Sequence, residues 1–156
     1  MKYRSDFVTN SSSSSFIVAY NSAAEMVRDL SHFARTYQDD EWSHQYSDVL
    51  SDIFKKRISY TDALKIFTRY MEGEMYYRVR CEKPDSYVSM QDWVDSNEFK
   101  RRYKEEVKKQ VDYFKNRVNH RGYFAYLQYS NSDGYYDVES ELHNMLNGYC
   151  IRMSEH

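Results

Sequence analysis

From Phe99 to Val118, apolar side chains return every three or four positions: Phe99, Tyr103, Val107, Val111, Phe114 and Val118. That period puts them on one face of a helix and leaves the other faces to lysine, arginine and glutamate. Asp95 followed by Glu98 predicts where the helix opens, and Gly122 is a residue suited to ending it. The same period recurs upstream. Ser22 and Glu25 have capping-box spacing ahead of Val27, Leu30, Ala34 and Tyr37. A second helix is expected from about Asp40, carrying Tyr46, Val49, Leu50, Ile53 and Phe54. Ser59 with Asp62 opens a third, striped by Leu64, Phe67, Tyr70 and Met71, and Ser89 with Asp92 caps a short one that holds Trp93. The stretch Tyr76 to Cys81 fits two descriptions. Its alternation of apolar and basic residues suits a strand, and its position suits a continuation of the third helix.

The two ends are patterned differently. Phe16 to Tyr20 is a run of β-formers stopped by Asn21-Ser22, and its unbroken apolar character predicts burial on both faces. Tyr123 to Tyr129 and Tyr149 to Met153 are similar runs, separated by the turn Asn131-Ser132-Asp133-Gly134 and a helix over Val138 to Asn147. Such a β-α-β order predicts two parallel strands if they are adjacent. The expected fold is therefore α+β: a mostly helical single domain over residues 1–156, with a small sheet of about three strands formed by the N- and C-terminal ends.

Composition narrows the class. Seventeen tyrosines against one proline and four glycines describe a packed chain in which tyrosine takes positions usually given to leucine, with its hydroxyl near water or a partner. Two cysteines, Cys81 and Cys150, are too few and too far apart for a disulfide scaffold or a zinc site, and both are expected to be reduced. No apolar stretch approaches the ~20 residues of a membrane span, and none follows the N-terminus as a signal core, so no membrane contact is expected and cytoplasm is the expected location.

The net charge of −2 conceals a division. Glu25 to Asp52 holds seven acidic and two basic residues, whereas Glu98 to Arg121 holds nine basic and four acidic ones. Asp39, Asp40, Glu41, Asp48 and Asp52 form the acidic candidate surface, and Lys100, Arg101, Lys104 and Lys108 the basic one. Lysines and arginines along a helix can track phosphates. Equally, Glu105 stands three and four residues before Lys108 and Lys109, the spacing of ordinary solvent-face ion pairs.

Five consecutive serines, Ser11 to Ser15, precede the first strand. Their hydroxyls and backbone amides suit an anion site, a modification site, a partner contact, or an exposed edge or turn. They lack the glycines and lysine of a phosphate-binding loop, and a strand follows where that loop needs a helix. Asp133, Glu139, His143 and His156 are the remaining candidates for acid–base or metal chemistry, although Glu139 and His143 are spaced to pair with each other. No catalytic motif is present in the sequence, and no cofactor is implied.

The string Asp6-Phe7-Val8-Thr9-Asn10-Ser11-Ser12-Ser13-Ser14-Ser15-Phe16 resembles the N-terminus of small uncharacterised proteins of Gram-positive, largely clostridial, bacteria and their mobile elements. Ser132-Asp133-Gly134, Glu139 and the end Ile151-Arg152-Met153 to His156 resemble the other end of those proteins. The resemblance covers about the first 18 and last 30 residues, implies an origin and no activity, and suggests that the two ends meet in one sheet. Together these observations point to a non-enzymatic protein that binds a protein or ribonucleoprotein complex, with direct nucleic-acid contact open to its basic helix. One concrete form is an inhibitor of a nucleic-acid-processing complex, such as an anti-CRISPR protein. The competing class is a small enzyme or phosphoryl-ligand binder using the serine run with Asp133 and His156.

Overall fold

The computed structural model of the protein describes residues 13–36, 51–53, 55–130 and 149–155. In chain order its elements are strand β1 (Ser13–Tyr20), helix α1 (Ala23–Thr36), strand β2 (Arg57–Ile58), helices α2 (Tyr60–Cys81), α3 (Met90–Asp95) and α4 (Asn97–Val118), and strands β3 (Tyr123–Ser130) and β4 (Tyr149–Glu155). The chain is α+β and mostly helical. Two compact units emerge: a sheet unit, built from the residues up to Ile58 and from Arg121 onward, and a helical unit, Ser59–His120.

Among the described residues the sheet has four strands in the order β2-β3-β1-β4, every neighbouring pair antiparallel. Four strands replace the expected three, and β2 belongs to neither end of the chain. The three terminal runs do share one sheet. However, β3 and β4 are not adjacent: β1 lies between them and is antiparallel to both, so they run in the same direction without touching as partners. The connecting turn at Asn131–Gly134 and the helix expected over Val138–Asn147 lie outside the described residues.

The central position of β1 explains its composition. Phe16, Ile17, Val18, Ala19 and Tyr20 are fully buried, so both faces of the strand are covered. Ser22 then caps α1, accepting from the Glu25 amide at 3.1 Å, and the Glu25 carboxylate reaches back to the Asn21 amide at 2.9 Å. The reciprocal bond falls one residue earlier than a regular capping box would place it. Val27, the first residue of the expected stripe on α1, does not lie on its buried side. Met26 and Asp29 are buried, while Val27 is exposed. Of the helix expected from Asp40, only residues 51–53 and 55 are described; they are helical, and Ile53 is buried.

In the helical unit, Ser59 caps α2 by accepting from Asp62 N at 3.0 Å. The segment Tyr76–Cys81 continues α2 and forms no strand. Its buried stripe is Ala63, Phe67, Met75 and Val79, and Phe67 stacks on Phe114 of α4 with ring centroids 4.4 Å apart. Ser89 and Asp92 form a complete capping box at the start of α3. Val79, Trp93 and Phe99 make the core where the three helices meet, and the Trp93 indole donates to Val79 O at 3.0 Å.

The cap of α4 is Ser96, not Asp95. Ser96 Oγ accepts from Phe99 N at 3.1 Å, whereas the Asp95 carboxylate receives the Gln91 amide. At the other end α4 stops at Val118, and Gly122 does not take the left-handed conformation expected of a helix terminator. Gly122 is instead where β3 approaches β1, its N–H donating to Tyr20 O at 3.1 Å.

Candidate partner-binding face on helix α4

Twenty-two residues of α4 present more basic side chains than its acids can neutralise. Arg101 pairs with Glu105 at 2.9 Å and Lys108 with Asp112 at 2.6 Å, both across one helical turn. The expected pairing of Glu105 with Lys108 or Lys109 does not form. A base one turn before its acid is the less favourable orientation on a helix, so Arg101 binds Glu105 despite the helix dipole, through two bonds from one guanidinium nitrogen. The bond to Asp112 raises the Lys108 ammonium above its usual range and lowers the Asp112 carboxyl.

Arg102, on the inner side, is bound into a chain across α2 and α4: it meets Glu82 at 2.6 Å, Glu82 meets Arg78 at 3.6 Å, and Arg78 meets Glu106 at 2.9 Å. Its guanidinium also lies 5.7 Å from the Trp93 ring centroid. This base is structural. Lys100, Lys104, Lys109 and Lys115 differ: all are exposed, and none has an ion-pair partner among the described residues. Lys100, Lys104 and Lys108 follow at intervals of four, a spacing that puts them in one row, about 6 Å apart along the axis.

Beside that row the apolar stripe of α4 rises to the surface. Phe99, Phe114 and Val118 are buried, but Tyr103, Val107 and Val111 between them are only half-buried. With Glu72 of α2 and with Lys104 and Lys108 they line an open groove of about 340 Å³. Tyr103 is held from behind by Phe99, stacked at 6.2 Å, and by Tyr76, edge-on at 6.0 Å. A second open depression of about 480 Å³ is lined by Glu105, Lys108, Lys109, Asp112, Tyr113 and Asn116 and is more polar in composition. The apolar period identified these valines as one face, and nothing in that period distinguishes a half-covered position from a buried one.

The other candidates fall elsewhere. Of the acidic set, Asp39, Asp40, Glu41 and Asp48 lie outside the described residues, and Asp52 is half-buried, 3.8 Å from Lys56. Ser11 and Ser12 are likewise outside. Ser13, Ser14 and Ser15 lie within β1, paired on one side with Ser130, Tyr129 and Gln128 and on the other with Glu155, Ser154 and Met153. They occupy neither an exposed edge nor a turn, because strands flank β1 on both sides. Ser15 is buried, and its hydroxyl accepts from the Tyr126 hydroxyl at 3.2 Å. A backbone committed to two ladders has no amides to offer a phosphate, so the geometry does not favour an anion cradle at Ser13–Ser15. Asp133, Glu139, His143 and His156 lie outside the described residues. Among the described residues, no group of three or more His, Cys, Asp or Glu side chains is arranged to hold a metal ion. No helix there is long and apolar enough to cross a membrane.

Cys81 and Cys150 are both free, Cys81 exposed and Cys150 buried. Comparison with protein-family models, with curated proteins and with solved structures finds no match for the chain.

Proposed function

We propose that the protein is a non-enzymatic binding protein of bacterial or mobile-element origin, and that it contacts an anionic surface of a macromolecular partner through α4. One observation carries this: Lys100 and Lys104 stand exposed in one row with Lys108, and neither has an ion-pair partner among the described residues. Structural ion pairs account for Arg101, Arg102 and Lys108 and leave these two without a role in the fold. Exposed charges of this kind add little to stability, yet they accelerate association with an oppositely charged partner by about 10- to 1,000-fold. The narrower version, in which an acid-rich segment occupies a nucleic-acid groove of a processing complex, rests on Asp39, Asp40, Glu41, Asp48 and Asp52.

The test is a charge reversal, Lys100→Glu with Lys104→Glu, compared with the parent protein in affinity capture from a bacterial lysate. The parent should retain a partner that the variant loses, while both melt at the same temperature. The same partner held equally well by both proteins, with the same resistance to salt, would remove α4 from the interface.

A further inference from the structure

We infer that the groove along α4 takes an acidic amphipathic polypeptide segment, anchored by an apolar side chain, in preference to a nucleic-acid backbone; this rests on the reading of α4 as the contact element. Three features of the groove lead there.

Its floor is apolar. Val107 and Val111 are one helical turn apart and half-buried, and the Tyr103 ring is fixed by Phe99 and Tyr76. Tyr103 to Val111 spans about 12 Å of helix axis, room for about two turns of a second helix laid alongside. Phosphodiester backbone has no apolar group to place on valine. A peptide helix with leucine-like residues at intervals of three or four does.

The walls differ in charge. Lys104 and Lys108 line the groove from α4, whereas Glu72 lines it from α2. Lys108 is partly neutralised by Asp112 at 2.6 Å, so the free positive charge of that wall is Lys104, extended along the row by Lys100. A polyanion presents negative charge in every direction and meets Glu72 as repulsion. An amphipathic segment presents acids to Lys100 and Lys104 and turns a neutral or basic side chain toward Glu72, which fixes its orientation.

The occupant's edges are therefore specified: acidic on one flank, apolar beneath, neutral or basic on the other. Nothing in a single-stranded nucleic acid satisfies all three. Single-strand binding stacks successive bases on several rings, whereas Tyr103 is the one aromatic ring among the described residues that line this groove, and one of its two faces is already stacked against Phe99.

The experiment uses the full chain as bait for a displayed library of helix-forming peptides about four turns long. Binding of the selected peptides is then measured by fluorescence anisotropy against the parent, Val107→Thr with Val111→Thr, Lys100→Gln with Lys104→Gln, and Glu72→Gln. The threonine variants keep the branched shape of valine and exchange one methyl of each for a hydroxyl, and a thermal melt confirms that they fold. Oligothymidylate and polyglutamate serve as polyanion probes. Selected peptides should combine acids with at least one large apolar residue. They should lose about tenfold or more in affinity to the threonine pair and to the glutamine pair. Glu72→Gln should strengthen binding of both polyanions. Peptides without an apolar anchor, or affinities that change by less than about threefold in the threonine pair while the glutamine pair still weakens them, would overturn the groove assignment and leave the α4 contact standing. Oligothymidylate that binds more tightly than the peptides and displaces them would assign the face to nucleic acid. Selected peptides insensitive to both variant pairs, or none selected together with no polyanion binding, would overturn the groove and the α4 contact together.

Discussion

Tyr20 is fully buried at the end of β1, and its hydroxyl donates to the Asp29 carboxylate at 2.6 Å. Asp29 is itself buried on α1, so the strand and the helix that follows it are joined by a polar bond inside the sheet unit. Tyr20→Phe keeps the ring and withdraws the donor from a buried carboxylate. The expected cost is about 1–3 kcal/mol, read as a lower urea midpoint with an unchanged slope. An unchanged midpoint would mean that the bond contributes nothing. Burial raises the Tyr20 hydroxyl far above its usual range, with the Asp29 bond adding to the effect, and burial alone raises the Cys150 thiol from 9.0 to about 12. Unfolding returns both groups to ordinary values, so the unfolded chain releases their protons first. The stability they contribute is intact below about pH 9 and declines as pH rises from there toward 12. Cys150→Ala should therefore flatten the alkaline fall of the urea midpoint, even if the cavity lowers that midpoint at neutral pH. A decline just as steep in the variant would assign the alkaline loss to other groups. The two thiols should also separate chemically, because the thiolate is the reactive form and exposure admits the reagent. In native protein Cys81 should react promptly with an aromatic disulfide reagent, and Cys150 only after denaturant is added; two fast thiols in native protein would contradict the burial of Cys150.

At the scale of elements, serine caps organise the helical unit, and Ser96 links two helices. Its hydroxyl accepts from Phe99 N at the start of α4 and donates to Trp93 O at the end of α3, at 2.6 Å. Ser96→Ala removes both bonds and should cost about 1–2 kcal/mol, more than Ser59→Ala, which removes a single cap contact. Urea midpoints of the two variants decide this, and equal losses would reduce Ser96 to an ordinary cap. These caps were largely legible in the sequence, because a cap acts within four residues and its chemistry is local. The choice between Asp95 and Ser96 was not. Both residue types cap well, and only the extended backbone at Ser96, with φ −67° and ψ 150°, settles which one does. Likewise the Tyr76–Cys81 alternation satisfied strand and helix periods together, and packing of Met75 and Val79 into the helical core decided for helix. Strand β2, only two residues long, is too short to carry any period; it exists because Arg57 and Ile58 pair with Ala125 and Phe124. The α4 stripe was legible as a face, but its depth was not, since the half-exposure of Val107 and Val111 depends on what α2 leaves uncovered.

At the scale of the molecule, β1 is the strand on which the sheet depends. It pairs with β3 from Ser13 to Tyr20 and with β4 from Ser13 to Ala19. The unbroken run Phe16 to Tyr20 announced burial on both faces, but it could not name the neighbours, which come from more than a hundred residues downstream. Removing Tyr149–His156 strips one whole ladder from β1 and exposes one edge of a strand composed for the centre of a sheet. The helical unit is built otherwise: Phe67 stacks on Phe114, and Val79, Trp93 and Phe99 close their core, all within Ser59–His120. The truncated chain should therefore lose the sheet while keeping helices α2 to α4. Trp93, fully buried in that core, reports on the helical unit once the other tryptophan is silenced by Trp42→Phe. In that background, deletion of residues 149–156 should leave Trp93 emission blue-shifted and most of the helical circular dichroism in place, while Cys150-independent probes of the sheet, such as amide exchange at Phe16 to Tyr20, lose their protection. Loss of the blue-shifted emission together with the sheet would show that the helices need the sheet unit to fold. Retained protection at Phe16 to Tyr20 would show that β4 is dispensable to β1. Retained Trp93 emission would also bear on α4, since a binding face carried by a unit that folds without the sheet should survive the truncation with its lysine-dependent contacts intact.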